Sequence, residues 1–154
     1  MSEARPTIIR RPDFHDYPAV QNLIQTVVDE VYGGLWTEPP LAIGEQDWSR
    51  CWVAVVEEEI VGVVLTSDDW IDDLWIGRKH RRRGVGSSLL LYAESEINGR
   101  GFQSARLRVV VSNAAAILFY RRFGWQDEQD YPHETLPVVM HEMRKRLNSP
   151  DVVR

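Results

Sequence analysis

The chain of 154 residues holds one cysteine, which excludes an internal disulfide. Cys51 lies in a run of strand-forming residues and reads as a core side chain, not a nucleophile. Histidine is also scarce. Its four copies form no cluster with the cysteine at metal-ligand spacing, so no structural metal is expected. No apolar run approaches the roughly 20 residues that cross a bilayer. The opening Met1-Ser2-Glu3-Ala4-Arg5-Pro6 lacks the apolar stretch of a secretion signal. A membrane partner is therefore not expected, and a cytoplasmic setting is. Repeats and low-complexity tracts are missing as well. What remains is ordinary for a single globular domain spanning 1–154: 44% apolar and 27% charged residues. Its core should run from Thr7 to Arg146, with 147–154 as a frayed tail.

The net charge of −5 conceals a segregation. From Asp29 to Asp73 the acids are Asp29, Glu30, Glu38, Glu45, Asp47, Glu57, Glu58, Glu59, Asp68, Asp69, Asp72 and Asp73, against one base, Arg50. Then Arg78, Lys79, Arg81, Arg82 and Arg83 follow, with His80 among them. An acidic wall beside a basic loop suits a cationic molecule paired with a polyanionic one. Solvated surface charge explains Glu57-Glu58-Glu59 at least as well, as a hairpin turn.

Periodicity supplies the elements. Thr7 to Arg11 reads as an edge or early strand closed by Pro12. Asp13 is the expected N-cap of a helix to about Val31, with Val20, Leu23, Ile24, Val27, Val28 and Val31 at helical spacing and Gly33-Gly34 as its stop. Tyr32 to Trp48 reads as a long loop or short-helix region. Cys51–Val56 and Ile60–Leu65 form a hairpin and Trp70–Ile76 the next strand. Gly84–Gly99 is a helix ended by Asn98-Gly99 and Gly101, Arg106–Val111 a strand, and Asn113–Phe123 a helix. Trp125–Glu128 and Val138–Arg146 are the last strands. The sum is a mixed α/β domain, a twisted sheet of about six or seven strands with helices on both faces.

Arg81-Arg82-Arg83-Gly84-Val85-Gly86 sits where the apolar strand ends and the helix from Ser87 onward takes over. A basic, glycine-bearing turn that opens a helix aims several backbone N–H groups at one spot, and the helix dipole favours an anion there. Gly84 and Gly86 permit close backbone approach, and the arginines add fork-shaped donors. The dinucleotide fingerprint is broken by Leu89 in place of its third glycine, and the Gly-Lys-Ser/Thr of a P-loop is missing. The remaining Arg-x-x-Gly-x-Gly resembles the acyl-coenzyme A pyrophosphate loop of the GNAT family of N-acetyltransferases. Downstream, Asn113 to Trp125 is similar to that family's Asn-x-x-Ala-x-x-x-Tyr-x-x-x-Gly-aromatic element. Two motifs in the right order carry the resemblance, which extends along the chain from Thr7 to Lys145.

The resemblance implies a mostly antiparallel sheet and transfer of an acetyl group from acetyl-coenzyme A to a primary amine, by direct attack in a ternary complex. The cofactor would meet Arg81, Arg82, Arg83, Gly84, Val85, Gly86 and Ser87 of the loop, the backbone of Leu74, Trp75 and Ile76, and Asn113. Tyr120 would protonate the leaving thiolate. Asp72 is favoured as the base that relays the amine proton through water, with Asp73, His133 and Glu134 as rivals. Strand alternation sets Asp72 with Leu74 and Asp73 with Trp75, on opposite faces. The acceptor would meet Tyr32, Trp36, Asp73 and His133. Asn113 as a helix N-cap, Tyr120 as an ordinary half-buried aromatic and His133 as a surface histidine are the plainer readings.

The acidic stretch favours a small cationic amine over a protein N-terminus or lysine. A homodimer is compatible with this expectation. A non-catalytic acyl-coenzyme A sensor is the rival class, against which an acid and a base argue. Net acidity argues against nucleic acid.

Overall fold

The computed structural model describes residues 6–32 and 48–147, the side chains at 31 and 32 excepted. The expected stop at Gly33-Gly34, nearly all of the loop that follows and the tail from 148 lie outside those residues. Among the described residues the elements are β1 (Ile8–Arg10), α1 (Tyr17–Tyr32), β2 (Cys51–Val56), β3 (Glu59–Ser67), β4 (Trp70–Ile76), α2 (Val85–Gly99), β5 (Ser104–Val110), α3 (Ala114–Arg122), β6 (Gln126–Pro132) and β7 (Val139–Arg146). Short 3-10 turns occupy Trp48–Arg50 and Arg78–His80. The seven strands make a sheet in the order β1-β2-β3-β4-β5-β7-β6. The pairings β1/β2, β2/β3, β5/β7 and β6/β7 are antiparallel, while β4 and β5 run parallel. The mixed, mostly antiparallel α/β architecture expected from the sequence is the one found.

The chain forms two compact units, one from the segment up to Thr66 with Asp73–Ala93, the other from Ser67–Asp72 with the chain from Glu94 onward. In the first, Val20, Ile24 and Val28 of α1 bury themselves with Cys51, Val53, Val55 and Val63. Gly62 faces the other way. A Cβ there would stand 2.9 Å from Ile76 Cδ1 and Leu89 Cδ1 and 3.2 Å from Val85 Cγ1, so the start of α2 lies directly on the bare backbone. The two helices therefore cover opposite faces of the β2–β3 hairpin, as alternation requires.

Two boundaries differ from expectation by about three residues or more. The first helix begins at Tyr17 because Asp13 caps a turn instead: its carboxylate accepts the His15 N–H at 2.9 Å. Asp16 takes the capping position, its carbonyl accepting from Val20 N at 3.0 Å. Its carboxylate accepts from Asp13 N at 2.8 Å and from the Arg10 guanidinium at 2.7 and 3.1 Å. The Arg10 hydrogen bond, against partial burial, holds the Asp16 carboxyl below its ordinary range. Pro18 is tolerated because the N–H it lacks would be unpaired in the first turn anyway. Strand β6 continues to Pro132, well past the expected Glu128, since its exposed polar residues carry no apolar alternation to mark it.

In the second unit, Ala105, Leu107, Met143, Ile97, Ile117 and Trp125 are buried. A charged cluster stands outside them. His141 of β7 meets Asp130 at 2.5 Å through Nδ1 and Asp127 at 2.8 Å through Nε2, and Asp127 also accepts from Arg121 at 2.9 Å. Partial burial pulls the His141 pKa down, but the two carboxylates outweigh it and the value is raised. No group of three or more candidate metal ligands occurs among the described residues, and no described helix is long and apolar enough to cross a membrane.

Two outcomes are expected. Glu57 and Glu58 form the two-residue turn of the β2–β3 hairpin at φ 50° and 67°, a conformation that favours Asn-Gly. Replacing the pair by Asn-Gly should raise stability by about 1–2 kcal/mol in urea denaturation. A group whose folded pKa is raised stabilises fully below its unfolded pKa and loses that contribution as pH rises through the folded value. The stability gap between wild type and His141→Gln should therefore be about 1 kcal/mol near pH 5.5, where the imidazole is charged, and should close by pH 9. Equal gaps at both pH values would show that the two aspartates do not act through the imidazolium.

Candidate functional site

The basic loop belongs to the first unit, as does the strand leading into it. Asp73 and Trp75 share a face: the indole Nε1 donates to Asp73 Oδ1 at 3.2 Å, and the Trp75 ring packs on the buried cluster beneath α1. Ile76 turns to the α2 side, over Gly62. Gly77 N then donates to Val61 O at 2.8 Å, which ends the strand on its neighbour. Arg78, Lys79 and His80 make a 3-10 turn, closed by His80 N on Gly77 O at 2.9 Å.

Past that turn the backbone reverses handedness at two positions, Arg82 at φ 65° and Gly84 at φ 84°. Positive φ close to a helix start produces a concave set of N–H groups suited to an anion. The N–H groups of Val85, Gly86 and Ser87 belong to the first turn of α2 and have no acceptor within the helix. The fourth, Ser88 N, reaches Gly84 O at 3.1 Å, and the Ser87 hydroxyl donates to the same oxygen at 3.0 Å. Arg82 and Arg83 are exposed. Arg81 is differently employed: its Nε donates to Ile76 O and its NH1 group to Glu30 Oε2, both at 3.1 Å.

The second unit holds Asp72, Asn113, Tyr120, His133 and Glu134. The Ser67 hydroxyl donates to Asp72 at 2.6 Å, and Asp72 is exposed. The parallel register sets Trp70 beside Arg106 and Ile71 beside Leu107. Asn113 is the N-cap of α3, its Oδ1 accepting from Ala116 N at 3.2 Å. The plainer reading of that residue therefore holds, and its side-chain NH2 remains as a donor. Ile117 and Tyr120 form the buried face of α3. Tyr120 is 8% exposed, more deeply set than a half-buried aromatic, with its ring edge-on to Trp125 at 6.0 Å. Its carbonyl accepts from Phe123 N and Trp125 N, both at 3.0 Å.

The end of the second motif has a structural explanation that sequence reasoning missed. Gly124 at φ 91° swings Trp125 inward, where its indole donates to Glu94 at 3.1 Å while Lys145 donates to the other carboxylate oxygen at 2.8 Å. The available signal was Glu94 itself, an acid among the buried Leu90, Ala93 and Ile97 of α2.

The β6–β7 connection changes the standing of two rival bases. His133 is no surface residue, since its side chain is 9% exposed. Its Nδ1 accepts the N–H groups of Thr135 and Leu136 at 3.1 and 3.0 Å, which places the proton of the neutral ring on Nε2. Glu134 is forked onto Arg108, one contact at 3.0 Å. That ion pair, with a backbone hydrogen bond, holds its carboxyl at about 2, which makes it a poor proton acceptor near neutrality. Trp36 and the Tyr32 side chain lie outside the described residues.

The model of the acetyltransferase (GNAT) family matches residues 21–125. Over 81 residues the chain is 31% identical to the uncharacterized N-acetyltransferase YafP of Escherichia coli K12, a match covering 51% of this chain and 47% of that protein, so the chain spans about half of that relative's length. It is 26% identical to N-alpha-acetyltransferase 50 of Danio rerio, across 88% of this chain and 86% of the other. In fold it is similar to yncA of Salmonella typhimurium, solved with its cofactor acetyl-CoA: TM-score 0.77 at 16% identity, covering 95% of this chain and 96% of the other.

A Cβ at Gly84 would have Ser87 Oγ, at 4.0 Å, as its nearest neighbour, so space is not what demands glycine there. The demand is conformational at φ 84°, plus whatever must approach from outside. Gly84→Val should cost about 1–2 kcal/mol in urea melts. Acetyl-coenzyme A affinity, measured by calorimetry, should fall by about tenfold or more. Wild-type affinity in the mutant would reduce the loop to a turn.

Proposed function

Since the chain belongs to the acetyltransferase (GNAT) family and is an acyltransferase by that membership, we propose that it moves the acetyl group of acetyl-coenzyme A directly onto a primary amine, within a ternary complex. The observation that carries this reading is the loop from Arg81 to Ser87, with its reversals at Arg82 and Gly84 opening into α2. It would hold the pyrophosphate on the N–H groups of Val85, Gly86 and Ser87, with the exposed Arg82 and Arg83 meeting the charge. The backbone of Leu74, Trp75 and Ile76 and the amide of Asn113 would hold the pantetheine arm.

The amine nitrogen attacks the thioester carbonyl carbon, the tetrahedral adduct collapses, and the C–S bond breaks. Tyr120 gives its phenolic proton to the departing thiolate, and the amine's proton leaves through water to Asp72, the preferred base. With Glu134 held by Arg108, and with the His133 Nδ1 engaged by two amides and its Nε2 carrying the ring proton, Asp73 is the remaining alternative. Asp73 also stays with Tyr32, Trp36 and His133 as an acceptor-side residue.

For the acceptor a small cationic amine comes first, on the strength of the acidic stretch, though its charge is partly consumed: Asp69 is paired with Arg106 at 2.8 Å and Glu30 with Arg81 at 3.1 Å. A protein N-terminus is the second reading, favoured by the near full-length similarity to N-alpha-acetyltransferase 50. The setting in this reading is one cytoplasmic acetyltransferase domain, without metal, nucleic acid or membrane, its partners being the acceptor and, in a homodimer, a second copy.

Saturating acetyl-coenzyme A should raise the melting temperature where NAD does not. A panel of small amines and peptide N-termini, followed by coenzyme A release, then separates the two acceptor classes. With a good amine, Tyr120→Phe should lower kcat by about 10- to 1000-fold with cofactor affinity little changed. The Asp72→Asn defect should shrink as pH rises and the free amine accumulates, whereas the Tyr120→Phe defect should persist. Full kcat in Tyr120→Phe, where product release does not limit turnover, would leave Tyr120 as a packing residue.

A further inference from the structure

We propose that Glu30, on the last turn of α1, is a positioning residue for the phosphate loop and acts through Arg81. The inference rests on the acetyl-coenzyme A reading of that loop. Arg81 stands immediately before Arg82, whose φ of 65° is unfavourable for a residue with a Cβ. A backbone strained in this way persists only where its surroundings over-determine it. Two bonds do so here. The Nε of Arg81 is anchored on Ile76 O, at the end of β4, and its NH1 group on Glu30 Oε2, from a helix 51 residues earlier.

The pairing also answers a need of α1. That helix carries no base in its final turn, and a carboxylate there faces the negative end of the helix dipole. The Arg81 guanidinium supplies the missing cation. Two of the N–H groups in its fork are consequently directed at protein oxygens, so Arg81 serves as a strut between α1, β4 and the loop, and the phosphate falls to Arg82, Arg83 and the backbone.

The sign of the effect separates this role from simple electrostatics. Removing a negative charge near a phosphate site should tighten binding if Glu30 is only a bystander. If Glu30 holds the strut, Glu30→Gln should instead weaken acetyl-coenzyme A binding by about three- to tenfold. The loss should appear in the KM for acetyl-coenzyme A, not in kcat or the acceptor KM. Arg81→Lys keeps the charge but cannot reach both oxygens with one rigid fork, so it should bind as poorly as Arg81→Met.

Calorimetric titration of all four proteins with acetyl-coenzyme A, with melts of each unliganded protein to show that it is folded, makes the test. Unchanged or tighter binding in Glu30→Gln, or near wild-type binding in Arg81→Lys, would overturn the proposal. A folded wild type that binds no acetyl-coenzyme A would overturn the reading beneath it as well, and the wild-type titration alone reveals that case.

Discussion

The arrangement of the first unit turns on a missing methyl group. Gly62 leaves a gap on β3 that Ile76, Val85 and Leu89 close, Ile76 and Leu89 at distances a real Cβ essentially never shows and Val85 at one tighter than usual. Ile76 is the last residue of β4 and Val85 the first of α2, so both ends of the loop from Gly77 to Gly84 rest on one backbone site. Fixing the ends fixes the span. Close packing holds this geometry because an interior at crystal-like density has no room for the helix start to slide. The reversals at Arg82 and Gly84 then determine where the N–H groups face. A residue with no side chain thus positions the loop whose backbone N–H groups form the proposed phosphate site.

Elements marked by local punctuation were legible in the sequence. Strand β4 is found with the bounds expected for it, and α2 is bounded within a residue, because glycines and apolar runs act within a few positions. Both family motifs are local for the same reason. The start of α1 was not legible: Asp13 and Asp16 are equally good caps, and Arg10 decides between them by forking onto the second. The full length of strand β6 escaped, although its start was expected, because pairing with β7 carries it on to Pro132 and its residues Gln126-Asp127-Glu128-Gln129-Asp130 give no period to read.

The supports of the candidate site were the least legible part. Glu30 with Arg81, Trp125 with Glu94, and Arg108 with Glu134 are 51, 31 and 26 positions apart, and nothing in composition pairs them. The segregation of charge along the chain is accordingly a poor guide to local field. The acids of the first half read as an open negative wall, yet two of them meet arginines drawn from elsewhere, Glu30 with Arg81 and Asp69 with Arg106. Among the described residues the remaining acidity is narrower than the sequence suggested, which weakens the charge argument for a polycation more than it weakens the argument for an amine.

Tyr120 shows why the plain and the functional readings of a residue need not compete. Its ring belongs to the buried face of α3, and its carbonyl gathers the N–H groups of Phe123 and Trp125, so helix end, Gly124 reversal and indole burial all converge on it. A side chain held this firmly by packing loses little further freedom when it is asked to present one hydroxyl, and positioning of that kind is what a general acid requires. Removing the oxygen while keeping the ring separates the two roles, because the packing contacts of a phenylalanine are nearly those of a tyrosine. The same logic covers Asn113, whose Oδ1 caps the helix and whose NH2 is thereby oriented. In this fold the structural bond aims the group that chemistry would use.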